Sequence, residues 1–264
     1  MENRLTKLFR QQPQNLLNVY FTAGFPELES TGTVLKTLEA AGADIVEIGM
    51  PYSDPLADGP TIQQSNTVAL RNGMSIRKLF SQLEQVRLEV NLPIILMGYL
   101  NPVLQFGLEK FCQEAARVGV DGFILPDMPL HEYEEVYQPL FEQYNLSVVF
   151  LVTPQTSEER IRKIDNLTNA FIYLVSSAST TGNKLGGSAK QINYFERIQS
   201  LNLKNSKLIG FGISDRSSFQ LACRYAEGAI IGSAFIKVIQ QKENLEQHIQ
   251  QFIKEVKASE PVSA

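Results

Sequence analysis

The chain has little of what metal, redox and hydrolytic chemistry usually needs. Among 264 residues there are two histidines and two cysteines. His131 follows Pro129 at a helix start and His248 lies on the polar stretch EQHIQQF. Neither has neighbouring cysteine or acidic residues at ligand spacing, so neither a zinc site nor a Ser-His-Asp arrangement is supported, and no metal site is expected. Cys112 and Cys223 each fall inside a helical pattern, EKFCQEAARVG and FQLACRYAEG, and read as buried helix residues of a reducing compartment. A long apolar run is missing too: PIILMGYL is far too short to cross a bilayer, and MENRLTKLFRQQ at the start has no apolar targeting core. A cytoplasmic location is therefore expected. Basic charge is not in excess. The net charge of -4 leaves no electrostatic footprint for nucleic acid or anionic lipid, so small molecules and proteins are the expected partners.

What the chain does have is alternation. Short β-branched runs bounded by Gly, Pro or Asp are each followed by an amphipathic segment of helical length. Strands are expected at 16–21, 44–48, 93–97, 122–125, 147–152, 170–175, 207–211 and 228–231. Nearly all are apolar on both faces, as strands of a parallel sheet covered by helices should be. Eight such units in this length predict a (β/α)8 TIM barrel forming one domain over 1–264, because no GxGxxG follows the first strand to suggest an open doubly wound sheet. An extra helix within 1–13 is expected to cover the bottom of the barrel, extended loops should follow strands two and six, and 258–264 reads as a frayed tail. Gly42 and Gly119 stand where helices should end. Thr156 and Glu159 have the spacing of a capping box.

Three segments carry the candidate chemistry. In VEIGMPYSDPLADGPTIQ, Glu47 sits near the C-terminal end of an apolar strand, where a carboxylate is costly to bury unless paired or used. Alternation allows it to face the barrel mouth, where desolvation would raise its pKa and suit it to proton transfer; a salt bridge to a neighbouring strand is the competing reading. Asp58 follows on a loop stiffened by Pro51, Pro55 and Pro60, with turn formation or helix capping as the alternative for Ser53, Asp54 and Asp58. The turns GFGIS, with Phe211 and Gly212, and IIGSAF, with Gly232 and Ser233, put glycine where a strand gives way to a helix. Such paired turns after the last two strands suit a phosphate held by backbone amides and the Ser233 hydroxyl. The Ser/Thr/Gly-rich run SSASTTGNKLGGSAK after the sixth strand reads as a lid or an unstructured loop. Tyr173 points inward if alternation holds, as catalytic group or core filler.

Taken together, EIGMPYSDPLADGPTIQ, YFTAGFP, MGYLNP, PDMP, GFGIS and GSAFIK occur in an order that resembles the tryptophan synthase alpha chain family along essentially the whole sequence. The resemblance implies a carbon–carbon lyase of tryptophan biosynthesis that splits indole-3-glycerol phosphate into indole and glyceraldehyde 3-phosphate. It implies that Glu47 is the general acid/base, that Asp58 holds the indole N–H, and that Tyr173 lies near the scissile bond. Gly182, Phe211, Gly212, Gly232 and Ser233 are implied around the phosphate, and Tyr20, Leu96, Tyr99 and Leu125 around the indole ring, Tyr20 standing where phenylalanine is expected. The lid, with Ser177, Thr180 and Thr181, departs from the family's Gly-Val-Thr-Gly run. The resemblance also implies no cofactor in this chain, and a pyridoxal phosphate-bearing beta subunit in an α2β2 assembly, docked around Pro51, Asp54, Pro55, Asn101 and Pro129. A free-standing indole-3-glycerol phosphate lyase shares all these residues. A sugar-phosphate epimerase leaves the SDPLADGP loop unexplained, and a non-catalytic activating subunit has little reason to keep a buried Glu47.

Overall fold

The computed structural model describes residues 2–56, 58–176 and 187–258. Eight parallel strands close into a barrel in chain order, the first pairing with both the second and the last. They are β1 Leu16–Thr22, β2 Ile45–Gly49, β3 Ile94–Met97, β4 Gly122–Ile124, β5 Ser147–Val152, β6 Phe171–Val175, β7 Ser206–Gly210 and β8 Gly228–Ile231. Each expected strand is found, with limits no more than one residue from those expected.

Helices fill the connections. The first half carries α1 Arg4–Gln11, α2 Ser30–Ala41, α3 Pro60–Arg71, α4 Ile76–Val86, α5 Leu100–Phe106 and α6 Leu108–Arg117. The second half carries α7 Leu130–Glu132, α8 Gln138–Gln143, α9 Glu158–Leu167, α10 Ala189–Ser200, α11 Arg216–Cys223, α12 Ser233–Ile239 and α13 Leu245–Lys257, a wider helical turn at Tyr133–Tyr137 joining α7 to α8. No helix among the described residues is long and apolar enough to cross a membrane.

Period-two alternation on buried strands produces two apolar layers. Leu17, Val19, Val46, Ile48, Ile94, Leu96 and Phe123 pack outward among the helices. Leu16, Ile45, Ile95, Ile124, Val149, Phe171 and Leu208 fill the barrel itself. Leu5 of α1 is fully buried in that inner layer, and Phe9 sets its ring 5.6 Å from that of Phe171. The first helix therefore plugs the end of the barrel where the strands begin.

Acids just ahead of the strands tie that same end together. Asp44 accepts from the Leu17 amide at 2.7 Å and from Lys257 at 2.7 Å. Asp121 accepts from the Ile94 amide at 2.9 Å and from the Arg87 guanidinium at 2.8 Å, and Arg87 also donates to the carbonyls of Gly119 and Leu92. The Arg87–Asp121 pair, buried and so fully hydrogen-bonded, is costly to break. The opposite end, where the strands finish, is left to the loops.

Helix ends follow local chemistry with one correction. Gly42 closes α2 at φ 91° and Gly119 follows α6 at φ 75°, both in the left-handed region that glycine tolerates. The capping box expected at Thr156 and Glu159 is displaced: Ser157 caps α9, accepting from the Arg160 amide at 3.3 Å. Thr156 instead accepts from the Thr153 amide at 3.0 Å, so its hydroxyl is spent on the turn that precedes the helix.

Candidate active site

A cavity of about 420 Å³ opens at the ends of the strands. Glu47 reaches it from β2, in register with Tyr20 on β1 and Ile95 on β3. Its side chain is fully buried, and this desolvation pushes its pKa up to about 8, against a smaller lowering by a hydrogen bond from Asn18. That bond runs from Asn18 Nδ2 to Glu47 Oε1 at 2.5 Å, while Oε2 has no partner among the described residues. The competing salt-bridge reading of Glu47 therefore fails: no cation touches it among the described residues.

Asp58 lines the same cavity from the loop between β2 and α3. Burial raises its pKa to about 6, and the Tyr99 hydroxyl, donating to Oδ2 at 3.2 Å, works in the opposite direction. It does not cap α3, whose N-cap is Gly59 with no side-chain bond. Ser53 donates to Asp54 at 2.5 Å, keeping that pair local to the loop.

Two tyrosines stand beside the acids. Tyr20 and Tyr173 both line the cavity, and burial raises both phenols far above their ordinary range, so both stay neutral. Each needs a glycine on a neighbouring strand. A Cβ on Gly49 would fall 2.2 Å from the Tyr20 oxygen, and one on Gly210 would fall 2.2 Å from that of Tyr173. Tyr173 meets Phe211 edge-on, with ring centroids 6.0 Å apart.

The glycine turns close the far wall. Phe211, Gly212, Ile213, Ser214, Gly232, Ser233 and Ala234 all line the cavity. Phe211 at φ 66° and Gly212 at φ 82° turn the chain through the left-handed region directly after β7. Such a conformation is costly for phenylalanine and is typical of a functional site. At the start of α12, Gly232 offers no side-chain cap, so the first amides of that helix are not consumed by a capping group.

Some expected residues lie elsewhere. Leu96 and Leu125 are not indole-pocket residues: both are buried in the outer layer against the helices. Strand pleating explains the correction, since the inward positions of β3 are Ile95 and Met97 and that of β4 is Ile124. Met97 lines the cavity in their place, with Ile62 and Ile230. The alternation used for Glu47 would have found Met97 had it been applied to β3. Tyr99 lines a smaller adjoining pocket that shares Tyr20, Asp58, Met97 and Phe211 with the main one. Ser177, Thr180, Thr181 and Gly182 lie outside the described residues.

Lys237 and Phe252 also line the cavity and were not expected. Lys237 lies one helical turn beyond Ser233, so the 3.6-residue period sets it on the side of α12 that carries the glycine turn. It brings a positive charge to the wall formed by the glycine turns.

Comparison with known proteins points one way. A family model described as "Tryptophan synthase alpha chain" matches residues 6–263. The chain is 53% identical to the tryptophan synthase alpha chain of Christiangramia forsetii, over 94% of this chain and 96% of that protein. Its fold matches the tryptophan synthase subunit alpha of Legionella pneumophila with a TM-score of 0.87 at 31% identity, over 97% of both chains. It also matches a chain of the tryptophan synthase complex from Pyrococcus furiosus with a TM-score of 0.82 at 33% identity, over 91% of this chain and 97% of that one.

Proposed function

Because the chain belongs to the tryptophan synthase alpha chain family, whose activity is the cleavage of indole-3-glycerol phosphate, we propose that Glu47 and Asp58 divide that reaction between them. The supporting observation is that one cavity is lined by both acids, by Tyr173 and by the two glycine turns. The phosphate is assigned to the turns at Phe211–Gly212 and Gly232–Ser233, and the indole to the apolar side formed by Tyr20, Ile62, Met97 and Ile230.

The division of labour follows from the two environments. With its pKa near 8, Glu47 carries a proton at neutrality; with its pKa near 6, Asp58 is mostly ionised. Two acids separated in this way can serve as proton donor and as counter-charge. Glu47 gives its proton to indole C3, and the positive charge that appears at the ring nitrogen is stabilised by the Asp58 carboxylate. The side-chain hydroxyl next to C3 then returns a proton to Glu47. The bond from C3 to the glycerol carbon breaks, its electron pair restores the indole ring, and the carbon left behind becomes the aldehyde of glyceraldehyde 3-phosphate. Glu47 ends protonated, ready for another turnover. Tyr173, neutral and beside both acids, is assigned to steering the scissile bond, a positioning task.

The family's pyridoxal phosphate belongs to the beta subunit. For this chain we assign that partner, in an α2β2 assembly, to the face around Pro51, Asp54, Pro55, Asn101 and Pro129. Asp54, Asn101 and Pro129 are exposed on segments that leave the strand ends beside the cavity, and Leu56 in the same loop is 87% exposed.

Cleavage of indole-3-glycerol phosphate by Glu47→Gln tests the central assignment. The variant should lose about 10²–10⁴-fold or more in kcat, with KM close to that of the parent chain. Near-parental turnover would remove Glu47 from the chemistry.

A further inference from the structure

We propose that Asn18 is a positioning residue for Glu47: its side-chain amide holds one carboxyl oxygen from beneath, in both protonation states, and leaves the other oxygen to move the proton. The inference rests on the reading of Glu47 as the acid that transfers protons.

Asn18 is fully buried in the middle of β1, in register with Ile45 on β2 and Ile230 on β8. An amide among such neighbours costs free energy that leucine or valine would not. The one side-chain hydrogen bond it makes among the described residues goes to Glu47, and it does not line the cavity, so substrate does not reach it. Whatever Asn18 contributes to turnover must pass through Glu47. Asn18 Oδ1 and Glu47 Oε2 are both buried without a partner among the described residues, so the pair share one bond and each keeps one atom in reserve.

A neutral amide suits this task because it donates a hydrogen bond without adding a charge. Nδ2 donates to the carboxylate. When Glu47 is protonated, the proton sits on Oε2, and Oε1, now a carbonyl oxygen, still accepts from Nδ2 but more weakly. A cationic partner such as lysine would lock Glu47 ionised, and a purely apolar one would leave it unoriented. Among the described residues, the other titratable groups facing Glu47 are Tyr20 from β1, Tyr173 from β6 and Asp58 from the loop after β2, with Lys237 of α12 on the same cavity. β3 presents Ile95 and Met97. None of the four titratable groups is hydrogen-bonded to the Glu47 carboxyl.

The test compares Asn18→Leu, which keeps the branched shape and removes both polar atoms, with Asn18→Val, which removes them with a smaller side chain suited to a strand. Turnover and KM for indole-3-glycerol phosphate are measured across pH, and the Glu47 carboxyl is followed by ¹³C NMR, its signal assigned by its loss in Glu47→Gln. Without the donor the Glu47 carboxylate is less favoured. In both variants the alkaline limb of kcat and the NMR midpoint should therefore move up by about one pH unit. In Asn18→Leu, kcat should fall about tenfold or more with KM within about twofold. A role confined to packing would lower stability and leave both midpoints where they were, and that result in either folded variant overturns the proposal. If Asn18→Leu does not fold, Asn18→Val reads the same midpoints. Parental turnover in Glu47→Gln would sink the reading of Glu47 alone, because the NMR midpoint still reports whether Asn18 governs that carboxyl.

Discussion

At the scale of single residues, the site is governed by what burial does to two carboxyls. The active form has Glu47 protonated and Asp58 ionised, so kcat should follow a bell with limbs near pH 6 and pH 8. A profile that keeps rising through pH 9 would contradict it. The same burial has a cost in stability, and its sign is fixed by linkage. The ordinary pKa of a glutamate here is 4.5 and the folded value is about 8. The unfolded chain therefore releases a proton that the folded chain keeps, and stability falls as pH rises from about 4.5 through about 8. Glu47→Gln removes that penalty, so its Tm relative to the parent chain should be higher at pH 9 than at pH 5. An equal offset at both pH values would mean that Glu47 is not held protonated by the fold. Lys237 makes a different kind of contribution. A cation beside a phosphate acts through attraction, so Lys237→Met should raise KM by about tenfold at low salt, leave kcat nearly unchanged and flatten the salt dependence of KM. Sequence alone singled out Glu47 because a carboxylate within an apolar strand is conspicuous. It missed Asn18, whose importance depends on a contact across two strands.

At the scale of elements, pleat and glycine decide who faces the substrate. Tyr20 and Tyr173 enter the cavity because Gly49 and Gly210, on neighbouring strands, leave room for their hydroxyls. A methyl at Gly210 cannot coexist with the present position of Tyr173. Gly210→Ala should therefore cost about 1–3 kcal/mol of stability and lower kcat more than Tyr173→Phe does, measured by denaturant unfolding and steady-state cleavage. The errors made at this scale have the same origin. Leu96 and Leu125 are apolar and close in sequence to the strand ends, but one step of the pleat turns them to the helices. Thr156 and Ser157 are both competent caps, and what decides between them is the competing bond from the Thr153 amide.

Over the whole molecule, stability and chemistry are concentrated at opposite ends. The Arg87–Asp121 pair, with Leu5 and Phe9 of α1, closes the end where strands begin, while the cavity and the exposed Leu56, Asn101 and Pro129 occupy the other. Docking of a beta subunit there should accelerate cleavage, and Asn101→Arg should weaken that stimulation about tenfold with turnover of the isolated chain unchanged. The assay is cleavage titrated with the beta subunit; equal rates with and without it would favour a free-standing lyase. The number of units, the parallel barrel and the candidacy of residues 47 and 58 were already determined by the sequence, because periodicity, a carboxylate in an apolar strand and an acid on a proline-stiffened loop are local properties of the chain. Only the tertiary structure decided that both acids share a cavity with Lys237, that Met97 and not Leu96 lines it, and that Asn18 lies beneath Glu47. Those facts depend on the register between strands and on barrel closure, which bring together residues that no window of sequence contains.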